Sequence, residues 1–242
     1  MHGLTIPKDF KPPLPRSFYL HPTLFVARRL LGCFFVIRRG KEFLAGKIVE
    51  VEAYKQNDPA SHSFRGRTQR NDVMFWKGGH FYVYFTYGMH FCANVVTGPE
   101  GTGEAVLIRA VEPFAGIEAM FKNRYGLNPI PDFPIAPSLK HPISKSFINL
   151  SNGPAKFCKT FGIGRAENGA DLIHGNIMIV RGEAYPISSI CRSSRIGISE
   201  GMEKRWRFFI KGNPYVSKQV PRSSPVKNGS AHRLKGNSTN GT

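Results

Sequence analysis

The chain has 242 residues, enough for one large domain or two small ones, and 12% of them are aromatic, which suits a globular protein with a substantial sheet. A net charge of +18 attracts polyanions and makes nucleic acid the first partner to consider. No apolar run reaches the roughly 18 residues of a membrane span, and Cys33, Cys92, Cys158 and Cys191 form no CxxC pair, which speaks against a zinc site, a redox dithiol and a disulfide framework. The opening MHGLTIPKDFKPPLPRSFY has charge and proline where a secretory signal carries its apolar block, so the chain is expected inside the cell.

Residues 1–16 are proline-rich and read as an extended N-terminal arm. After Pro22-Thr23, the residues Leu24, Ala27, Leu30 and Leu31 recur at helical spacing, with Gly32 placed to end the helix. Strands follow at Cys33–Arg38 and Ala45–Tyr54, joined around Arg39-Gly40-Lys41. In the second strand Val49, Val51 and Ala53 share one face, while Glu50, Glu52 and Tyr54 share the other, with the two carboxylates roughly 7 Å apart. A solvated strand face is the ordinary place for such glutamates; a carboxylate beside a tyrosine, facing a cleft, is the sharper alternative.

From Lys55 to Gly79 the chain is loop-like, and Arg65, Arg67 and Arg70 among Gly, Thr and Asn give it the composition of a phosphate-facing loop. Phe81–Asn94, FYVYFTYGMHFCAN, predicts a β-hairpin about Tyr87-Gly88. Gly88 supplies the positive φ of a tight turn and Tyr87 is pushed out at the tip, as a wedge for base stacks or as packing on a neighbour. Glu104–Ala110 is a further strand, in which Arg109 must find an anionic partner or reach solvent. Helices are predicted over Phe114–Tyr125, closed by Gly126, and from Pro154 to Phe161, capped by Ser151 or Asn152, with a proline-punctuated connection over Asn128–Pro142 between them. Short strands are predicted at Asn176–Arg181, around Arg195–Ile198 and at Arg207–Lys211. One folded domain thus covers 17–217, and the polar, basic stretch 218–242 reads as a disordered tail.

EAY at 52–54, the His-bearing loop with RGR-x-x-RN, the YVYFTYGM hairpin with Asn94 and LIRA at 107–110 resemble, in order and spacing, the alkyladenine (3-methyladenine) DNA glycosylase family of mammalian type. SNGPAKFCKTFGI at 151–163, SRIGI at 194–198 and RFFIKGNPYVS at 207–217 extend the similarity over roughly residues 16–217. The resemblance implies a single compact mixed α/β (α+β) domain around a curved antiparallel β-sheet, with flanking helices and a protruding β-hairpin, and without metal or cofactor. It implies a monomeric, monofunctional enzyme of base excision repair that flips a damaged purine out of double-stranded DNA and hydrolyses its N-glycosidic bond, leaving an abasic site. The substrates it allows are 3-methyladenine, 7-methylguanine, hypoxanthine and ethenoadenine, and the compartment is the nucleoid in a bacterium or the nucleus in a eukaryote.

Residue by residue, Glu52 matches the family's general base for the attacking water, and Arg109 the arginine that helps hold that water. Tyr54, His62 and Tyr84 match the rings that sandwich the flipped base, and Tyr87 the residue that fills the gap it leaves. Asn94 matches the side chain that disfavours guanine, and the carbonyl near Ile198 a second contact to the water. The energetics suit these roles: extruding a base costs a few kcal/mol, a plug in the stack offsets part of that, and each aromatic stack contributes about 1–3 kcal/mol. Glu52 must be ionised to act as a base, which a neighbouring Arg109 favours.

Gln69 and Gly78 stand where the family often has proline, predicting looser loops, and Tyr215 where it often has tryptophan. A catalytically silent nucleic-acid binder on the same fold would have no reason to keep Glu52 and Arg109. A zinc deaminase needs an HxE and PCxxC pairing that is absent, and a lyase needs a lysine nucleophile, whereas Lys47 has the opposite facing parity to Glu52. Finally, a two-residue turn at Tyr87-Gly88 would put Tyr84 and Asn94 on opposite faces. One pocket lined by both requires an odd loop or a bulge.

Overall fold

Thirteen residues from Glu42 to Tyr54 form the longest strand, β2, and the sheet is arranged about it. The computed structural model describes residues 11–40, 42–126 and 145–217. The predicted 128–142 connection, the 218–242 tail, Lys41 and residues 1–10 of the arm lie outside them. On one edge β2 pairs with β5 (Ala105–Ala115). On the other it pairs first with β1 (Phe34–Arg39) and then, over Glu50–Glu52, with β8 (Arg207–Ile210). The hairpin strands β3 (Phe81–Thr86) and β4 (His90–Val96) continue the sheet beyond β5. Beyond β1 lies β6 (Ile177–Val180), and β7 (Ile190–Ser193) flanks β8, completing a curled, antiparallel, eight-stranded sheet in one mixed α/β domain.

Helices α1 (Arg16–Tyr19), α2 (Thr23–Leu30), α3 (Ile117–Tyr125), α4 (Lys145–Ile148) and α5 (Pro154–Thr160) flank this sheet. Val26, Ala27 and Leu30 of α2 join Val49, Val51 and Ala53 of β2 in the main core. Phe35 of β1 meets Phe157 and Phe161 edge-on at 5.0 and 5.3 Å. Such ring contacts add about 0.5–1.5 kcal/mol each to the burial itself. The end of the N-terminal arm is tied down: Pro13 bridges to Val180, and the Leu14 amide donates to the Ile179 carbonyl at 2.8 Å, shielding the edge at β6.

Four sequence expectations are corrected. Phe114 and Ala115 belong to β5, and the helix starts only at Ile117, because Gly116 breaks the chain with φ 77°. The first turn of α5 is preceded by Gly153; Ser151 Oγ donates instead to the Val111 carbonyl and Asn152 accepts from Lys156 Nζ. Arg195–Ile198 forms no strand, since the Arg195 side chain and the Ile196 amide are both drawn into the site described below. Nor is Gly78 in a loose loop: its amide donates to the Gly98 carbonyl at 2.9 Å, and a Cβ there would lie 2.7 Å from the Tyr19 carbonyl oxygen.

The hairpin has an odd loop, as one shared pocket requires. Thr86 pairs with His90, leaving Tyr87, Gly88 and Met89 between the strands. Tyr84 then faces Cys92 and Tyr82 faces Asn94, so all four side chains share one side of the ribbon. Tyr87 and Gly88 both take positive φ, 51° and 68°, and the Met89 amide closes the turn onto the Thr86 carbonyl at 3.3 Å. For a bulky residue that conformation is strained. Tyr87 is 83% exposed and Met89 70%, so the tip presents two bare apolar side chains.

Candidate active site

Two carboxylates that sequence alone would leave in solvent are fully buried where β8 joins β2. Glu52 Oε1 accepts from the Ile196 amide at 2.7 Å; Oε2 accepts from the Tyr54 hydroxyl at 2.9 Å and pairs with the Arg109 guanidinium at 3.2 Å. All three contacts are donors, the set that a carboxylate accepts. Glu50 accepts from Arg109 Nε at 3.0 Å, Arg207 Nε at 2.7 Å, the Ser217 amide at 2.6 Å and the Ser217 hydroxyl at 2.9 Å. Arg109 therefore bridges both glutamates. It can do so because the β2–β5 register slips there: Glu50 faces Ala110 and Val51 faces Ile108, leaving Arg109 as an extra residue in a bulge. Burial opposes its charge, but Glu52, Glu50 and Tyr54 outweigh that and raise its pKa. Burial first, then the charge of Glu52, pushes the Tyr54 phenol up as well.

In front of this floor lies a cavity of about 350 Å³, at the small end of the ligand-pocket range of about 300–1,000 Å³. Tyr54, Arg109 and Leu107 close its bottom, with Ile196, Gly197 and Ile198 on one wall. Tyr82, Tyr84, Cys92 and Asn94 form the hairpin wall, and His62 and Tyr87 also line the cavity. Glu52 stands behind this lining, screened by Tyr54, Arg109 and Ile196. His62 and Tyr84 meet at 4.4 Å with planes 73° apart, and His62 Nδ1 shares a 3.0 Å hydrogen bond with the Tyr82 hydroxyl. Partial desolvation and then the Arg70 charge lower the His62 pKa, so the ring is neutral at pH 7. Burial raises the Tyr84 phenol and pushes Tyr82 up to about 12, so both stay protonated. Asn94 Nδ2 donates to the Tyr82 carbonyl at 3.1 Å, which fixes the buried amide against β3.

The loop that carries His62 is stapled by Asn71, whose Nδ2 donates to the carbonyls of His62 and Gly66 at 2.8 and 3.0 Å. Arg65, Arg67 and Arg70 are exposed on its outer side. Arg67 pairs with Asp72 at 2.6 Å, and Arg70 reaches the Phe85 carbonyl at 3.5 Å. The structure thus gathers Tyr54, His62, Tyr84, Asn94, Arg109 and Ile198 around one cavity, with Glu52 buried behind it, Tyr87 at its rim and the three loop arginines outside it.

Sequence reasoning did not pick out Glu50 as a hub, nor Arg207 and Ser217 as its partners. It also missed Arg195. That guanidinium is gripped by both oxygens of Asp58, donates to the Ala53 carbonyl at 3.1 Å, and lies 4.6 Å from the Tyr54 ring centre. Glu50 sits two residues from Glu52 on the same strand face and was within reach; Asp58 carries no local signal at all.

Fold and site together define a basic enzyme in which a buried carboxylate–arginine pair closes the bottom of a small aromatic cavity. The sequence model of the family described as methylpurine-DNA glycosylase (MPG) matches residues 17–214, and the chain belongs to that family. It is 47% identical over 207 residues to a protein of Carboxydothermus hydrogenoformans, covering 85% of this chain and 99% of that one. It is 42% identical over 210 residues to one of Methanoculleus marisnigri, at 85% and 99%, and 43% over 201 residues to one of Francisella tularensis, at 81% and 94%. Each of these three bears the name "Putative 3-methyladenine DNA glycosylase". The chain is thus a DNA glycosylase, a hydrolase of N-glycosyl bonds in base excision repair.

Proposed function

We propose that this glycosylase, acting as a monomer inside the cell, extrudes alkylated or deaminated purines from duplex DNA into the cavity and hydrolyses their N-glycosidic bond with water. The observation that carries this reading is the buried Glu52, held by Arg109 and the Ile196 amide directly behind a cavity walled by aromatic rings. An extruded purine stacks on Tyr54 on one side and on His62 and Tyr84 on the other, while Tyr87 enters the vacated stack. Arg109 and the main chain around Ile198 hold a water against the sugar, and Glu52 takes its proton as the carbon–nitrogen bond breaks. The electrons of that bond leave with the purine, water supplies the hydroxyl at C1′, and an abasic site remains. Arg65, Arg67 and Arg70 are placed to meet phosphates. The range spans 3-methyladenine, 7-methylguanine, hypoxanthine and ethenoadenine, with Asn94 turned against the 2-amino group of guanine.

Water as nucleophile is favoured because none of the described residues lining the cavity is a lysine, and Lys47 is bound to Glu112 at 3.0 Å. The test is a panel of duplexes, each bearing one of the four lesions, scored for free base released. Wild type releases at least one of them. Glu52→Gln binds the same duplexes and releases base about 10²–10⁴-fold more slowly. Release by Glu52→Gln at the wild-type rate would remove Glu52 from the mechanism, and a borohydride-trapped DNA adduct would replace water with a lysine.

A further inference from the structure

The cavity has a charged layer behind its aromatic floor. Arg195 has a fully buried side chain, yet it is absent from the cavity lining, so it covers the face of Tyr54 turned away from the cavity. Its guanidinium carbon lies 4.6 Å from the Tyr54 ring centre and 5.4 Å from that of Trp206. Its Nε–H is buried with no hydrogen-bond acceptor among the described residues, leaving the two rings as its neighbours. Asp58 takes the opposite edge of the fork, with NH2 to Oδ1 at 3.0 Å, and Lys204 Nζ joins the same Oδ1 at 3.2 Å. Two cations therefore share one carboxylate, and of the two it is Arg195 that lies against the Tyr54 ring, while Lys204 lies over Trp206.

A cation on one face of an aromatic ring draws on the same negative quadrupole that a cation on the other face would use. The hydrogen bond from the Tyr54 hydroxyl to Glu52 feeds electron density into the ring, and Arg195 withdraws it. The consequence reaches a stacked base according to its charge. A base alkylated at N7 or N3 is cationic and loses part of its attraction to Tyr54, whereas hypoxanthine and ethenoadenine are neutral and lose little. We propose that Arg195, held by Asp58, is a specificity-determining residue that biases the Tyr54 stack toward neutral damaged purines and against cationic ones. This rests on the reading that Tyr54 stacks on the extruded base; Arg195 itself touches no substrate.

The experiment measures single-turnover excision of hypoxanthine and of 7-methylguanine from otherwise identical duplexes and takes the ratio of the two. Removing one partner of a buried pair strands the other, so the cation is removed in the double variant Arg195→Met with Asp58→Asn, confirmed as folded by its unfolding transition. The ratio is expected to move toward 7-methylguanine by about 3- to 10-fold, less than a whole desolvated cation–π contact because Arg195 weakens the attraction and does not abolish it. Asp58→Asn alone keeps an oxygen acceptor but removes the neutralising charge, so it moves the ratio the other way. Arg195→Met alone leaves Asp58 paired with Lys204, moves the ratio toward 7-methylguanine, and decides the matter if the double variant does not fold. A purely structural role for Arg195 slows both excisions by one common factor, and an unchanged ratio in the folded variants overturns the proposal. Where wild type does not release one of this pair, ethenoadenine or 3-methyladenine takes its place as the neutral or cationic base. Wild type that releases none of the four lesions refutes the function proposed above instead, and the two failures are distinct.

Discussion

Glu50→Gln removes a single charge from the site while preserving its shape, and the structure gives the size of the effect. The amide keeps one oxygen for Arg109 Nε and Arg207 Nε, but its –NH2 must then face the Ser217 amide, which lies 2.6 Å from the oxygen it replaces. One buried acceptor becomes a donor opposed to a donor, and the Arg109 and Arg207 guanidinium groups lose the carboxylate charge that they share. Breaking a buried pair of this kind costs about 3–5 kcal/mol, against about 5–15 kcal/mol for a whole domain. For a domain of this length the melting temperature falls by about 2–4 °C per kcal/mol, so a drop of about 6–20 °C is expected. Thermal and urea unfolding followed by circular dichroism measure it. Glu52→Gln is the comparison: its amide oxygen can stay on the Ile196 amide and its –NH2 can donate to the Tyr54 hydroxyl, but that –NH2 then faces Arg109, which keeps Glu50. One guanidinium contact is lost against two for Glu50→Gln, so its drop should be smaller. A melting temperature for Glu50→Gln within about 2 °C of wild type would show that Glu50 is not the hub that the geometry makes it.

Tyr87→Asn separates stability from function at the hairpin tip. Asparagine accepts a left-handed backbone far better than tyrosine, so the variant should be more stable by up to about 1 kcal/mol. With the stacking ring gone, its affinity for lesion duplex should fall about tenfold or more; equal or tighter binding would remove Tyr87 from the wedge role. His62 has a lowered pKa, so its nuclear magnetic resonance titration should show a midpoint below the ordinary 6.5. The unfolded chain then takes up this proton first as pH falls below 6.5, and the native state loses stability down through the depressed folded value. His62→Gln should flatten that part of the stability profile, and a midpoint at or above 6.5 would contradict the lining described for this ring.

Much of this architecture was legible from periodicity. The alternation in IVEVEAY correctly set Glu50, Glu52 and Tyr54 apart from Val49, Val51 and Ala53, and one pocket shared by Tyr84 and Asn94 called for an odd loop or a bulge, of which the chain has the odd loop Tyr87–Met89. What alternation does not carry is which face is wet: the glutamate face is covered because Arg109 and Arg207 arrive from two neighbouring strands to neutralise it. The same limit explains Arg195–Ile198, read as a strand from its apolar residues. Its backbone is spent on the Glu52 carboxylate, and its arginine on Asp58, a partner 137 positions away in the chain. Pairings of that range depend on the assembled sheet and leave no local pattern. The resemblance to a known family pointed to residues that meet at one cavity, but motif matching favours groups placed to meet a ligand, and Glu50, Asp58 and Arg195 lie one layer behind them.

The contacts of Glu50 also bear on how the molecule comes into being. Its partners Arg207 and Ser217 lie 157 and 167 residues further along the chain, at the end of the described residues. A nascent chain that has exposed β2 and β5 already holds Glu52 and Arg109, yet lacks the groups that neutralise and fix Glu50. The floor of the cavity is therefore among the last parts to become whole during synthesis, as expected for contacts of such long range. A truncation or nick before Ser217 would unpick it from the far end, leaving the cavity residues themselves intact in sequence.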